Sequence, residues 1–175
     1  MVDLEPLSGD PAELRQAYGC FPSGVVAMCA LDGREPTGMV ASSFACVSLD
    51  PGLVSVCVRN CSATWPHLRQ AGRLGISVMA EHQRDACRRL SLRAGDRFAG
   101  VGWAAGAAGA VFVDDAVAWL DCSVQHEVPA GDHVIALLAV HGLRIHPERP
   151  PLVFHGSQFR RLGTESLPRH RREPT

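Results

Sequence analysis

The sequence predicts a mainly β chain, an antiparallel barrel with peripheral helices, on three observations. Apolar, β-branched runs of strand length recur through the chain. The connections between them carry hairpin chemistry, Asp32-Gly33 first among them. Six or more such runs accompany only two or three helical segments, and strands and helices do not alternate as they would around a parallel sheet.

Each element has its local reason. In "GDPAELRQAYG" Asp10 is the N-cap, Pro11 the first helical residue, Glu13 the capping-box acid and Gly19 the stop. A strand follows from Val25 to Leu31, and the chain turns at Asp32-Gly33 and returns as a strand through residues 37 to 47. "LVSVCV" after Pro51 is the next strand. "NCSATWPHLRQAG" reads as a short helix starting at Ser62 or Thr64, with "RLGISVMA" a strand behind it. "EHQRDACRRLSLRAG" reads as an amphipathic surface helix whose arginines form the wet face. "GVGWAAGAAG" is a loop, since its glycines do not match a dinucleotide fingerprint. Residues 111 to 127 and 132 to 145 are two long strands joined by "EVPAGDH", and "PLVFHGSQF" supplies a short terminal strand.

Composition excludes several classes of function. A net charge of -1 gives no field for a nucleic-acid groove or an anionic membrane surface. All 17 basic residues are Arg, so no Schiff-base or phosphate-loop lysine exists. The seven cysteines are odd in number and never spaced C-x-x-C, as expected of free thiols in a reducing cytoplasm. No apolar run approaches the roughly 18 residues of a membrane span. No nucleophile elbow, H-E-x-x-H or Cys/His cluster is present, so neither a hydrolase nor a metal site is expected. Arg169, Arg171 and Arg172 lie in a Pro-rich end that reads as a disordered basic tail over residues 163–175.

Three short patterns remain, each with a plain structural alternative. In "GMVASSFACVSLDP", Ser42 and Ser43 are adjacent hydroxyls next to Phe44; alternation puts at least one polar group near the inside, where it needs a partner, either a carbonyl nearby or a ligand. In "NCSAT", Ser62 and Thr64 stand at a helix start, where they either cap the helix or add donors to an anion. In "AGDH", Asp132 and His133 follow a turn glycine, as an Asx-turn would arrange them without any ligand. Of the eight histidines, His67, His82 and His170 sit in charged surroundings and read as solvent-exposed side chains, and His126, His133 and His155 stand apart from them.

Together and in order, "FPSGVVAMCA", "GMVASSFACVSLDPGLVSVCV", "SATWPHLRQAGRLGISVM", "DRFAGVGW", "PAGDHVIALLAV" and "PPLVFHGSQF" resemble the flavin reductase-like family over residues 21–162, leaving 1–20 as an N-terminal helical extension. The resemblance implies an FMN-binding split barrel in which the strand holding Ser42, Ser43 and Phe44 lies along the isoalloxazine ring, with Ser48 in the same flavin-contacting string. It implies that Ser62 and Thr64 hold the flavin phosphate with Arg97 nearby, and that His133, the expected catalytic residue, faces the nicotinamide. Asp132 joins the cofactor-binding set, and His155 matches a family histidine near the end of the barrel. The sequence departs from the family pattern at Cys61, where serine is common, and at Ser77, where asparagine is common. The implied activity is hydride transfer from NADH or NADPH to FMN or FAD, by a homodimer that passes reduced flavin to a separate monooxygenase. The alternative is a flavin-binding or flavin-delivery protein with little reductase turnover.

Overall fold

The computed structural model of the chain describes residues 1–163; Arg169, Arg171, Arg172 and nearly all of the expected tail lie outside them. Helix α1 (Pro11–Gly19) begins as its sequence dictates, with the Asp10 carboxylate accepting from the Ala12 amide at 2.9 Å. Glu13 does not close a capping box on Asp10. Its carboxylate accepts from the Ser8 amide at 3.2 Å, and hydrogen bonding to Ser8 holds its pKa below the ordinary value. No residue of α1 is buried.

The strands that follow are β1 (Ser23–Gly24), β2 (Val26–Asp32), β3 (Glu35–Ala41), β4 (Ala45–Leu49) and β5 (Gly52–Arg59). After the one-turn helix α2 (Trp65–Leu68) come β6 (Leu74–Val78) and helix α3 (Arg84–Leu90), then a small hairpin of β7 (Trp103–Ala105) and β8 (Val111–Val113). The chain ends in the long hairpin β9 (Ala118–Ala130) and β10 (His133–Ile145) and the short one β11 (Val153–His155) and β12 (Gln158–Arg160). Four expectations need correction. Residues 37 to 47 form two strands with a break at 42–44, "GVGWAAGAAG" contributes β7 as well as loop, residues 111 to 127 are not one strand but β8 and the start of β9, parted at 114–117, and the terminal stretch is a hairpin that turns at Gly156 and Ser157.

Seven strands form one antiparallel sheet in the order β3-β2-β6-β9-β10-β5-β4. Its two edges, β3 and β4, are separated in the chain only by residues 42–44, so the sheet must curl until its edges belong to one continuous segment. That is a barrel closed at a corner. Val26, Met28, Val54, Val56, Val58, Leu74, Ile76 and Leu138 fill it, together with Trp65 and Leu68 of α2.

The other face of β2 is covered as well. Val25, Ala27 and Cys29 pack with Cys87 and Leu90 of α3, with Val111 and Val113 of β8, and with Leu152. Burial on both faces explains why residues 25 to 31 read as an unbroken apolar run, with none of the alternation of a half-exposed strand. Ser77, buried in β6, accepts a hydrogen bond from the Val113 amide at 2.9 Å; its hydroxyl docks the small hairpin onto the barrel. Burial pushes the thiols of Cys29, Cys87 and Cys122 up to about 12, which makes them packing groups and not nucleophiles. Among the described residues no helix is long and apolar enough to cross a membrane.

Candidate active site

A cavity of about 770 Å³ opens against the barrel where the corner at 42–44, the outward face of β5, the loop before α2, the segment after α3 and the start of β10 come together. Along β5 the side chains alternate: Val54, Val56 and Val58 point into the barrel, which leaves Cys57 and Arg59 for the cavity. The corner is fixed by one hydroxyl. Ser43 Oγ donates to the Cys57 carbonyl and accepts from the Cys57 amide, each at 3.0 Å, so it supplies both ladder bonds where β3 has left one edge and β4 has yet to join the other. Ser43 therefore has its carbonyl partner and still lines the cavity, next to Ser42. Both serines lie in the break between strands, not within a strand as the sequence indicated.

The loop before α2 divides two tasks between its hydroxyls. Ser62 Oγ accepts from the Trp65 amide at 3.2 Å and starts the helix, whereas Thr64 occupies the N-cap position without making a cap bond. The buried Thr64 hydroxyl instead accepts from Arg97 Nη1 at 2.6 Å, and the same nitrogen donates to the Gly38 carbonyl at 3.1 Å. A four-residue helix has little dipole to offer an anion. The positive character of the cavity comes from guanidinium groups: Arg59, Arg93 and Arg97 line it, and no Asp or Glu does.

His133 enters from the first residue of β10, opposite Arg59 in the β5–β10 ladder. The turn before it requires Gly131, whose φ of 64° lies in the left-handed region. Asn60 pins that turn to the loop before α2, its side chain donating to the Gly131 carbonyl at 3.2 Å and its amide to the Asp132 carbonyl at 3.0 Å. His133 Nδ1 lies 2.7 Å from Asp132 Oδ1. That hydrogen bond, with the charge of His133 adding to it, holds the Asp132 carboxyl below the ordinary carboxylate value.

Of the residues singled out in the sequence, Ser42, Ser43, Ser62, Thr64, Arg97 and His133 meet in this cavity. Asp132 acts one step back, through His133. Phe44 packs against the barrel core behind the corner. Ser48 on β4 and His155 on β11 lie outside the lining, as does His126 on β9. Sequence reading missed Met39, Cys57, Arg59 and Arg93. Cys57 and Arg59 were legible from the two-residue period of "VSVCVR" once Val54, Val56 and Val58 are assigned inward. Arg93 was read as part of a wet helix face, but α3 ends at Leu90 and the segment beyond it turns into the cavity.

Small hydroxyls at a barrel corner, guanidinium groups with backbone and hydroxyl donors, and an imidazole form a cavity of the class that suits a flat, anionic ligand. The chain belongs to the flavin reductase-like family: residues 18–163 match the family described as flavin reductase like domain. It is 33% identical over 150 residues, 86% of this chain and 77% of the other, to a protein of Rhodococcus jostii (strain RHA1) named flavin-dependent monooxygenase, reductase subunit HsaB. It is 41% identical over 129 residues, 73% of this chain, to a probable flavin reductase of Rhizobium meliloti (strain 1021), of whose length it spans only 42%. Its structure superposes with a TM-score of 0.86, at 34% identity, covering 94% of this chain and 99% of the other, on the Streptomyces globisporus C-1027 NADH:FAD oxidoreductase SgcE6, solved in complex with NAD and FAD fragments.

Proposed function

We propose that the chain is an NAD(P)H-dependent flavin reductase that supplies reduced flavin to a separate monooxygenase, working as a cytoplasmic homodimer. The observation that carries this reading is the convergence of Ser42, Ser43, Ser62, Thr64, Arg97 and His133, drawn from four stretches of the chain, on one cavity. The residues present fit a flavin. Its isoalloxazine has the corner hydroxyls and strand backbone for its polar edge, and its 5′-phosphate has Ser62, Thr64 and Arg97. When bound, the flavin accepts the hydride that a reduced nicotinamide donates, so the protein needs no nucleophile of its own.

The chain's share is placement. The corner and the loop before α2 set where the flavin lies, and His133, tethered through Nδ1 to Asp132, presents its remaining ring nitrogen to the nicotinamide side. Holding two rings at near-attack distance is a large part of what such a catalyst supplies. Ser48 and His155, outside the cavity, take no part within one chain in this reading.

Anaerobic stopped-flow mixing of the flavin-loaded protein with NADH and with NADPH tests it. Rapid bleaching of the oxidised flavin absorbance with at least one of them is expected. Tight flavin binding with no reduction by either would leave a flavin carrier in place of a reductase.

A further inference from the structure

A second cavity of about 380 Å³ abuts the first beside Arg97, and Ala63, Thr64 and Arg97 line both. The segment from Arg93 to Phe98 runs along the two: Arg93 and Arg97 line the first cavity, and Gly95 to Phe98 line the second. Arg97 is already engaged, by Thr64 and the Gly38 carbonyl. Arg59 pairs with His133 across the β5–β10 ladder, and its charge reaches Asp132. Arg93 forms no ion pair with any carboxylate among the described residues. A single phosphate held by Ser62, Thr64 and Arg97 thus leaves one guanidinium over in the first cavity, two residues before the segment that lines the second.

We infer that this chain selects a flavin dinucleotide over the mononucleotide, with Arg93 engaging the second phosphate and the second cavity receiving the adenosine. The inference rests on the flavin reading above and extends it to the choice of flavin. Charge alone would not discriminate, because the phosphomonoester of FMN carries about as much of it as the diphosphate of FAD at neutral pH; spacing does. Two phosphorus centres reach two separated guanidiniums, each contact being charge-assisted and open to bidentate geometry. Beyond them the second cavity offers what a nucleoside uses: the carboxylates of Glu35 and Asp96 as acceptors for ribose hydroxyls, and the ring of Phe98 and the side chain of Thr37 as walls. Asp96 keeps one carboxylate oxygen for this, since only its Oδ1 is taken up by the Phe98 amide, at 2.9 Å.

Two variants of the full chain test the inference with FAD, FMN and riboflavin, binding being read by quenching of flavin fluorescence. Arg93→Ala removes the proposed phosphate contact. His67→Trp fills the second cavity from its exposed rim, where the residue replaced makes only a surface pair with Asp32 at 2.9 Å. Circular-dichroism melts of both variants control for folding. The wild type is expected to bind FAD at least about tenfold more tightly than FMN, and each variant to lose most of that margin while FMN affinity stays within about threefold. Equal affinities for FAD and FMN in the wild type would overturn the inference. So would equal losses for both in Arg93→Ala, which would place Arg93 on the shared phosphate. An unchanged FAD affinity in His67→Trp with a raised KM for NADH would give the second cavity to the nicotinamide cofactor, again against it. Failure of all three flavins to bind would defeat the flavin reading itself, an outcome separate from a mere lack of preference.

Discussion

The imidazole of His133 reaches the cavity because three neighbours agree on where its backbone goes: Gly131 takes the left-handed conformation, Asn60 fastens the turn, and Asp132 holds Nδ1. Since the Asp132 carboxyl sits below its ordinary value through that bond, the tether is present above the ordinary carboxylate range and is lost only as pH falls through the lowered value. His133 is thus a positioned group across the neutral range. His133→Ala is expected to keep flavin affinity within about threefold while anaerobic hydride transfer at low NADH falls on the order of a hundredfold, the scale on which small misplacement costs rate. His133→Gln should recover part of the loss, having a donor at similar reach. Reduction by His133→Ala as fast as wild type at every NADH concentration would make the residue a turn histidine and no more. His133 was legible as a cavity residue because the turn chemistry is local; Arg93 was not, because its place in the lining depends on where α3 stops.

Among the elements, the corner at 42–44 carries the most information about how fold and site depend on each other. Alternation and composition continue through "GMVASSFACVSL", so one strand is the natural reading; what breaks it is closure of a barrel by strands distant in sheet order, which no local pattern reports. By contrast α1, the Asp32-Gly33 hairpin and the β9–β10 hairpin were legible, because caps, turn residues and apolar runs are local signals. Ser43 supplies both bonds to Cys57 at the corner. Ser43→Ala should therefore lose about 1–3 kcal/mol of stability, since two backbone groups of β5 lose their partner. Ser42→Ala, at the same corner, should leave stability within about 0.5 kcal/mol. Urea titrations of both would check this, and equal midpoints for Ser43→Ala and wild type would show that water replaces the hydroxyl and that the corner closes without it.

For the whole molecule, several large apolar side chains of the described surface stand exposed, and their distribution is uneven. Leu49 is 98% exposed, Leu143 67% and Ile145 62%, all on β4 and β10 within the β9-β10-β5-β4 half of the sheet. They lie toward the same end of these strands, by the pairings of Leu49 with Gly52 and of Ala139 with Leu53. Helix α1 adds Tyr18, 70% exposed, and has no buried residue to anchor it to the body. Large exposed apolar side chains gathered toward one end of a sheet suit an interaction site. A second copy of the chain is the occupant proposed above, and closed two-fold assembly buries the same patch on both copies, so each substitution counts twice. Sedimentation velocity at micromolar concentration should accordingly give a species of twice the 18.8 kDa chain mass. Leu143→Glu combined with Ile145→Glu should shift it to the single-chain mass with the barrel still folded by far-UV circular dichroism. A wild type that sediments as a single chain at all concentrations while binding flavin would refute the dimer. A dimer that survives both glutamates would instead move the interface off β10, leaving β4 and α1 as the surfaces to vary next.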